Sequence, residues 1–222
     1  MSSLADSKTE KVAEIIRRIH HGEIKNLLVV GCGEGIEAAI LAQKLNASVV
    51  GIDIEDNFDK EAAVFAKLQT GDALALDFAD ETFDFVFSYH ALEHIENPKK
   101  ALKEIHRVLK KSGGFWIGTP NKSRIVGYIG GKNTSLQEKI KWNLADWKAR
   151  LKGRFENELG AHAGFSGKEL YGLLNEVFSK TSDQTKTYFS TVYAHYPRVI
   201  KWIERSGASR FVYPSVYFSG VK

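Results

Sequence analysis

Residues 26–37, NLLVVGCGEGIE, constrain the fold of this chain more than any other stretch. Residues 27–30 are a continuous apolar run, the pattern of a strand buried on both faces. The run breaks at Gly31, and glycines alternate at 31, 33 and 35. Ile36, Ile40, Leu41 and Leu45 then recur at helical spacing. A strand, a glycine turn and a helix make the first half of a nucleotide-binding βαβ unit. So tight a turn needs positive φ, and a ligand lying on its backbone leaves no room for a Cβ.

The rest of the chain continues the alternation. Val12, Ile15, Ile16 and Ile19 predict an N-terminal helix, with Ser7 and Glu10 as its capping box. Residues 48–54 (SVVGIDI) and 83–88 (FDFVFS) read as buried strands, with a short third strand near 65–69. Asn97-Pro98 opens a helix that runs to Gly113-Gly114, and 115–118 is a fifth strand. Ser166 and Glu169 cap a further helix, and 185–193 and 211–219 are β-rich by composition. Strands alternating with helices imply a parallel sheet covered on both faces. The 222 residues, 43% apolar, suit one domain. Its core is 22–120, a helical insertion spans 121–160, and a C-terminal helix with edge strands spans 161–222.

The single cysteine, Cys32, excludes a disulfide framework and a zinc cluster and fits a reducing compartment. The N-terminal residues lack the basic start and apolar core of a signal peptide, so a cytoplasmic location is expected. No run of 18 apolar residues is present, so no membrane span is expected.

Asp53 ends the second strand, 22 residues after Gly31. That is close to the spacing at which a carboxylate accepts from both ribose hydroxyls in such folds. Two ligands suit this arrangement, a dinucleotide and S-adenosylmethionine. The dinucleotide fingerprint requires glycine at the position held by Ile36. Glu34 and Glu37 at the helix start repel a pyrophosphate, whereas S-adenosylmethionine has no phosphate and carries an ammonium and a sulfonium. Asp72, after the third strand, can accept from the adenine amine, with apolar neighbours sandwiching the ring.

These segments (VVGCGEG, VVGIDI, TGDALALDFADETFDFVFS and YHALEHIENPKKALKEIHRVLKKSGG) resemble the class I S-adenosylmethionine-dependent methyltransferases. The similarity is to the subgroup that includes ubiquinone-biosynthesis and small-molecule enzymes, and it covers 27–121. The resemblance implies a Rossmann-like, mostly parallel sheet of seven strands with helices on both faces, the last strand antiparallel. It implies that Gly31 and Gly33, with Cys32 between them, face the methionine part of the cofactor. Asp53 then holds the ribose, Ile54 packs on adenine, Asp72 and Ala73 bind the adenine edge, and Ser88 and Tyr89 close the site. The product is S-adenosylhomocysteine. Lys111-Ser112 stands where the family usually has a proline before Gly-Gly.

Methyl transfer mainly requires alignment of nucleophile and methyl, and a base only for a poor nucleophile such as an alcohol. His94, just past the fourth strand, is the first candidate base; its other reading is a structural hydrogen-bonding residue beneath the site. His162 is the second candidate and would face the acceptor. His90 and His106 read as helix-surface or packing residues. Cys32 reads as a small packing residue rather than a nucleophile, and no metal-ligand set is expected.

The insertion carries nine Lys/Arg and two Asp/Glu between Lys122 and Arg154, a local net of +7 in a chain of +4. Leu136, Ile140, Leu144, Trp147 and Leu151 form one apolar stripe. The first reading is a lid over the acceptor, its stripe turned to the pocket or sheet. The others are recruitment of an anionic acceptor, a peripheral contact with anionic lipid supported by Trp142 and Trp147, and RNA. The expected activity is methyl transfer to a small molecule at oxygen. The alternatives are an RNA or protein methyltransferase and a non-catalytic binding protein. With no appended recognition module, nucleic acid is the less favoured partner.

Overall fold

A computed structural model describes residues 6–128, 135–157 and 163–222. Seven strands form one sheet in the order β3-β2-β1-β4-β5-β7-β6. They are β1 (Asn26–Val30), β2 (Ser48–Asp53), β3 (Lys67–Thr70), β4 (Phe83–Tyr89), β5 (Leu109–Pro120), β6 (Lys180–Asp183) and β7 (Ser215–Val221). β1 to β5 pair in parallel, and β7 runs antiparallel between β5 and β6. This is the expected Rossmann-like arrangement, with its reversed strand beside β5.

The alternation of side chains across β1 builds two cores. Leu27 and Val29 join the face covered by α1 (Ser7–Ile19), α2 (Ile36–Leu45), α7 (Thr185–Val192) and α8 (Pro197–Arg205). Leu28 and Val30 join the opposite face, under α4 (Pro98–Val108) and α6 (Gly167–Asn175). All four are at most 1% exposed. Each such side chain contributes about 1.5–3 kcal/mol, which is why the run is apolar without alternation.

Four local expectations are corrected. The N-cap of α1 is Asp6, whose Oδ2 accepts from the Thr9 amide at 3.1 Å and its hydroxyl at 2.6 Å; Ser7 is already in the helix. Helix α4 stops at Val108, because buried Leu109 is drawn into the sheet opposite Phe83. The register then slips across to Phe85 and Gly114 through left-handed Ser112, so the two glycines lie within β5. Residues 185–192 are the helix α7, not a strand. Their β-favouring composition yields to burial of Tyr188 and Phe189 against the sheet. The last strand begins at Ser215; residues 209–212 form a helical turn, α9 (Ser209–Val212).

Helix α5 (Leu136–Leu151) is present with Ser135 and Glu138 as its capping box. Its apolar stripe does not face the pocket or the sheet: Ile140 is 52% exposed, Leu144 56% and Trp147 43%. The helix is held mainly by its polar side, with the Trp147 indole N–H donating to the Ile125 carbonyl at 2.7 Å. Asn143 exchanges two hydrogen bonds with Gly127 (2.7 and 3.1 Å). Asp146 accepts from Arg124 at 3.0 Å and from the Tyr128 hydroxyl at 3.2 Å. Arg150 reaches the Arg124 carbonyl at 2.8 Å.

Candidate active site

A crevice of about 1040 Å³ opens at the carboxyl ends of β1, β2 and β4, where the strand order changes direction. Gly31, Cys32 and Gly33 line it with Asp53, Ile54, Asp72 and Ala73, and Tyr89 and His94 close its far side. The fold therefore brings together nearly all the residues expected to form one site. Ser88 does not line it: it is 2% exposed, while its strand neighbours Phe87 and Tyr89 do, as the two-residue alternation dictates. His162 lies outside the described residues.

The turn is pinned from two sides. The Gly31 and Cys32 amides both donate to the Ile52 carbonyl at 2.9 Å. The Asp53 carboxylate accepts from the Gly33 amide at 2.7 Å and the Glu55 amide at 3.2 Å. At Gly33, a Cβ would meet no protein atom within 4 Å. The turn is thus a cradle open to the crevice, and it fits a ligand laid on its backbone. Asp72 accepts from the Leu74 amide at 2.8 Å, shaping the loop that carries Ala73 to the crevice. Glu34 and Glu37 also line the crevice, which disfavours phosphate there.

Cys32 is 4% exposed. Burial, and then the nearby Asp53 charge, push its thiol up to about 12, so it is protonated at neutral pH.

A second cavity of about 650 Å³ adjoins the first, and Lys8, Tyr89, His90 and His94 line both. Its wall is aromatic: Tyr188, Tyr217 and Phe189, with Tyr128 and Trp142 from the insertion. The Tyr89 hydroxyl lies 3.3 Å from that of Tyr217 and 3.5 Å from that of Tyr188. Burial pushes all three phenols up, so they stay neutral and act as polar but uncharged groups.

Several residues at this second cavity are not legible in the sequence. Lys8 carries no motif, and Tyr188 sits in a segment whose composition reads as strand. His90 is not on a helix surface; its ring packs edge-on against Tyr89 and also stands where the two cavities meet. Its left-handed backbone, φ +54°, turns it there, and no sequence signal marks that conformation.

Residues 28–117 match the methyltransferase domain family. The chain is 29% identical over 194 residues to the ubiquinone biosynthesis O-methyltransferase of Parvibaculum lavamentivorans, covering 78% of this chain and 73% of that protein. It is 34% identical over 93 residues to the ajmaline N-methyltransferase of Rauvolfia serpentina, 38% of this chain and 32% of that one. Among solved structures, phosphoethanolamine N-methyltransferase 2 of Haemonchus contortus superposes with a TM-score of 0.60 at 17% identity, over 96% of this chain and 52% of that chain. The likeness to that structure is one of fold. The matched segment contains the glycine turn, Asp53, Asp72 and β4 that frame the crevice. Residues 28–117 thus match a methyltransferase domain, and the glycine turn, Asp53 and Asp72 within that segment frame a crevice that fits S-adenosylmethionine.

Proposed function

We propose that the enzyme methylates an oxygen of a small planar acceptor held in the second cavity, with S-adenosylmethionine in the first. The observation that carries this reading is the shared boundary of the two cavities at Lys8, Tyr89, His90 and His94. Asp53 would accept from the ribose hydroxyls, Asp72 and Ala73 would meet the adenine edge, and Ile54, 77% exposed, would pack on the ring. When bound, the cofactor would supply a methyl group activated by its sulfonium. The chain's own work is alignment: Tyr188 and Tyr217, stacked on each other with ring centroids 3.8 Å apart, make a rigid aromatic part of the wall that would hold the acceptor. His94 stands at the common mouth as a candidate base, and Lys8 there favours an anionic acceptor. The name of the Parvibaculum relative supports oxygen as the atom, and the buried lone thiol accords with a cytoplasmic location. Calorimetric titration should give micromolar binding of S-adenosylhomocysteine and none of NADH. Binding of NADH alone would sink the reading.

The insertion contributes Arg124, Tyr128 and Trp142 to the cavity wall, and in this reading it forms part of the acceptor's cover. The outward stripe of α5 supports a peripheral contact with anionic lipid. Leu136, Ile140, Leu144, Trp147 and Leu151 are exposed beside Lys141, Lys148 and Lys152. No helix among the described residues is long and apolar enough to cross a membrane, so such contact would be interfacial. Vesicles containing phosphatidylglycerol should sediment the protein, and Ile140→Glu with Leu144→Glu should abolish this; equal sedimentation of the double variant would overturn it.

A further inference from the structure

Glu93 is the only acidic residue in the buried class among the described residues. It sits in the 3-10 turn Leu92–His94 that follows β4, and its side chain is 1% exposed. Its Oε2 has no hydrogen-bond partner among the described residues. A carboxylate desolvated to this degree is costly unless a cation or donor balances it. The nearest groups of that kind are two imidazoles: Oε1 lies 3.5 Å from Nδ1 of His90 and 4.0 Å from Nε2 of His94.

His90 is the better held of the two. Its ring meets Tyr89 edge-on at 4.4 Å, and its amide donates to the Gly118 carbonyl of β5 at 2.8 Å. Its Nε2 is 3.4 Å from the Ser215 hydroxyl, on a residue that lines the second cavity. The His90 side chain is 34% exposed against 53% for His94. The φ of +54° is uncommon outside glycine, although histidine tolerates it better than most residues, and the surroundings that hold it there fix where the ring points.

We propose that His90 is the base for the acceptor hydroxyl and that Glu93 is the residue that positions it. The assignment rests on the reading of the second cavity as the acceptor site. A carboxylate facing Nδ1 keeps the neutral ring's proton on that nitrogen, which leaves the Nε2 lone pair facing the Ser215 hydroxyl and the cavity that Ser215 lines, where an acceptor hydroxyl would take that hydroxyl's place. The hydroxyl proton passes to Nε2 as the oxygen pair forms the bond to the methyl carbon; the proton then leaves to solvent through the cavity mouth.

The decisive measurement is the nitrogen-15 spectrum of the imidazoles in the S-adenosylhomocysteine complex. Neutral His90 should carry its proton on Nδ1, and Glu93→Leu, which removes the acceptor, should remove that preference. A proton on Nε2, or an unchanged spectrum in Glu93→Leu, would overturn the proposal. For turnover the probes are catechol and benzenethiol, whose thiol is largely ionised at mildly alkaline pH. His90→Asn, which suits the left-handed backbone, should lower kcat on catechol at least about 100-fold at saturating cofactor, and lower kcat on benzenethiol far less. Equal losses on both probes, or none on catechol, would overturn it too. Failure of the wild type to use catechol counts against the acceptor class alone, and the spectrum still decides the roles of His90 and Glu93.

Discussion

Asp53→Ala is expected to lower affinity for S-adenosylhomocysteine by at least about a hundredfold, because two roles are lost together. The carboxylate ends β2 on the crevice wall, where it can accept from both ribose hydroxyls. Hydrogen bonds to a charged group contribute about 1.5–3 kcal/mol each. The same carboxylate accepts from the Gly33 amide at 2.7 Å, so its removal also frees the turn on which the cofactor would lie. Folding should suffer much less. Asp53 is partly exposed, and the amides it releases can turn to water. A loss of about 1 kcal/mol corresponds to a fall of roughly 2–4 °C in Tm for a domain of this size. Asp53→Asn separates the roles. Its amide oxygen still accepts from Gly33, but it lacks the charge and one acceptor, so its affinity should fall between wild type and Asp53→Ala. Calorimetry and thermal melting of the three proteins check this. Asp53→Ala binding within threefold of wild type would remove Asp53 from the site.

The sheet was legible because its signals are local. Residues 27–30 are buried on both sides of the sheet, so their burial shows as an unbroken apolar run, and Asn97-Pro98 marks a helix start by side-chain chemistry alone. The lining of the first cavity was legible for the same reason: Gly31, Gly33, Asp53 and Asp72 sit at the ends of recognisable strands. The lining of the second was not. It is assembled from α1, the turn after β4, the root of the insertion and α7, which are distant in sequence and meet only through the sheet. Tyr188 was hidden because tyrosine and threonine favour strands, and only tertiary burial makes 185–192 a helix. The α5 stripe misled for the opposite reason. Its periodicity is genuine, but Asn143, Asp146 and Arg150 fasten the other side. Periodicity identifies the helix; it does not identify which side the rest of the protein takes.

Gly31→Ala should be among the most damaging single-methyl changes in this protein, and its cost can be traced to one neighbour. The residue has φ +72°, where an L side chain is strained by roughly 1–2 kcal/mol. An added Cβ would also stand 2.1 Å from the Cβ of Ala91, far inside van der Waals contact. Neither residue can move cheaply. Gly31 is tied to the Ile52 carbonyl at 2.9 Å, and Ala91 accepts from the His94 amide at 2.9 Å, next to His90, which is latched to β5. Forced overlaps in packed interiors typically cost about 1–3 kcal/mol, so the sum is roughly 2–5 kcal/mol. At roughly 2–4 °C per kcal/mol, Tm should fall by roughly 5–20 °C. The contact between Gly31 and Ala91 is also where the cofactor turn meets the segment bearing His90, Glu93 and His94. Prising them apart should therefore weaken S-adenosylhomocysteine binding and turnover together. Ala91→Gly removes the obstructing methyl, so the double variant should recover the overlap cost while keeping the φ strain, a coupling of roughly 1–3 kcal/mol in a double-mutant cycle. Additive losses in thermal melting would show that the turn and the segment after β4 yield independently, and that this contact does not set the distance between the two halves of the site.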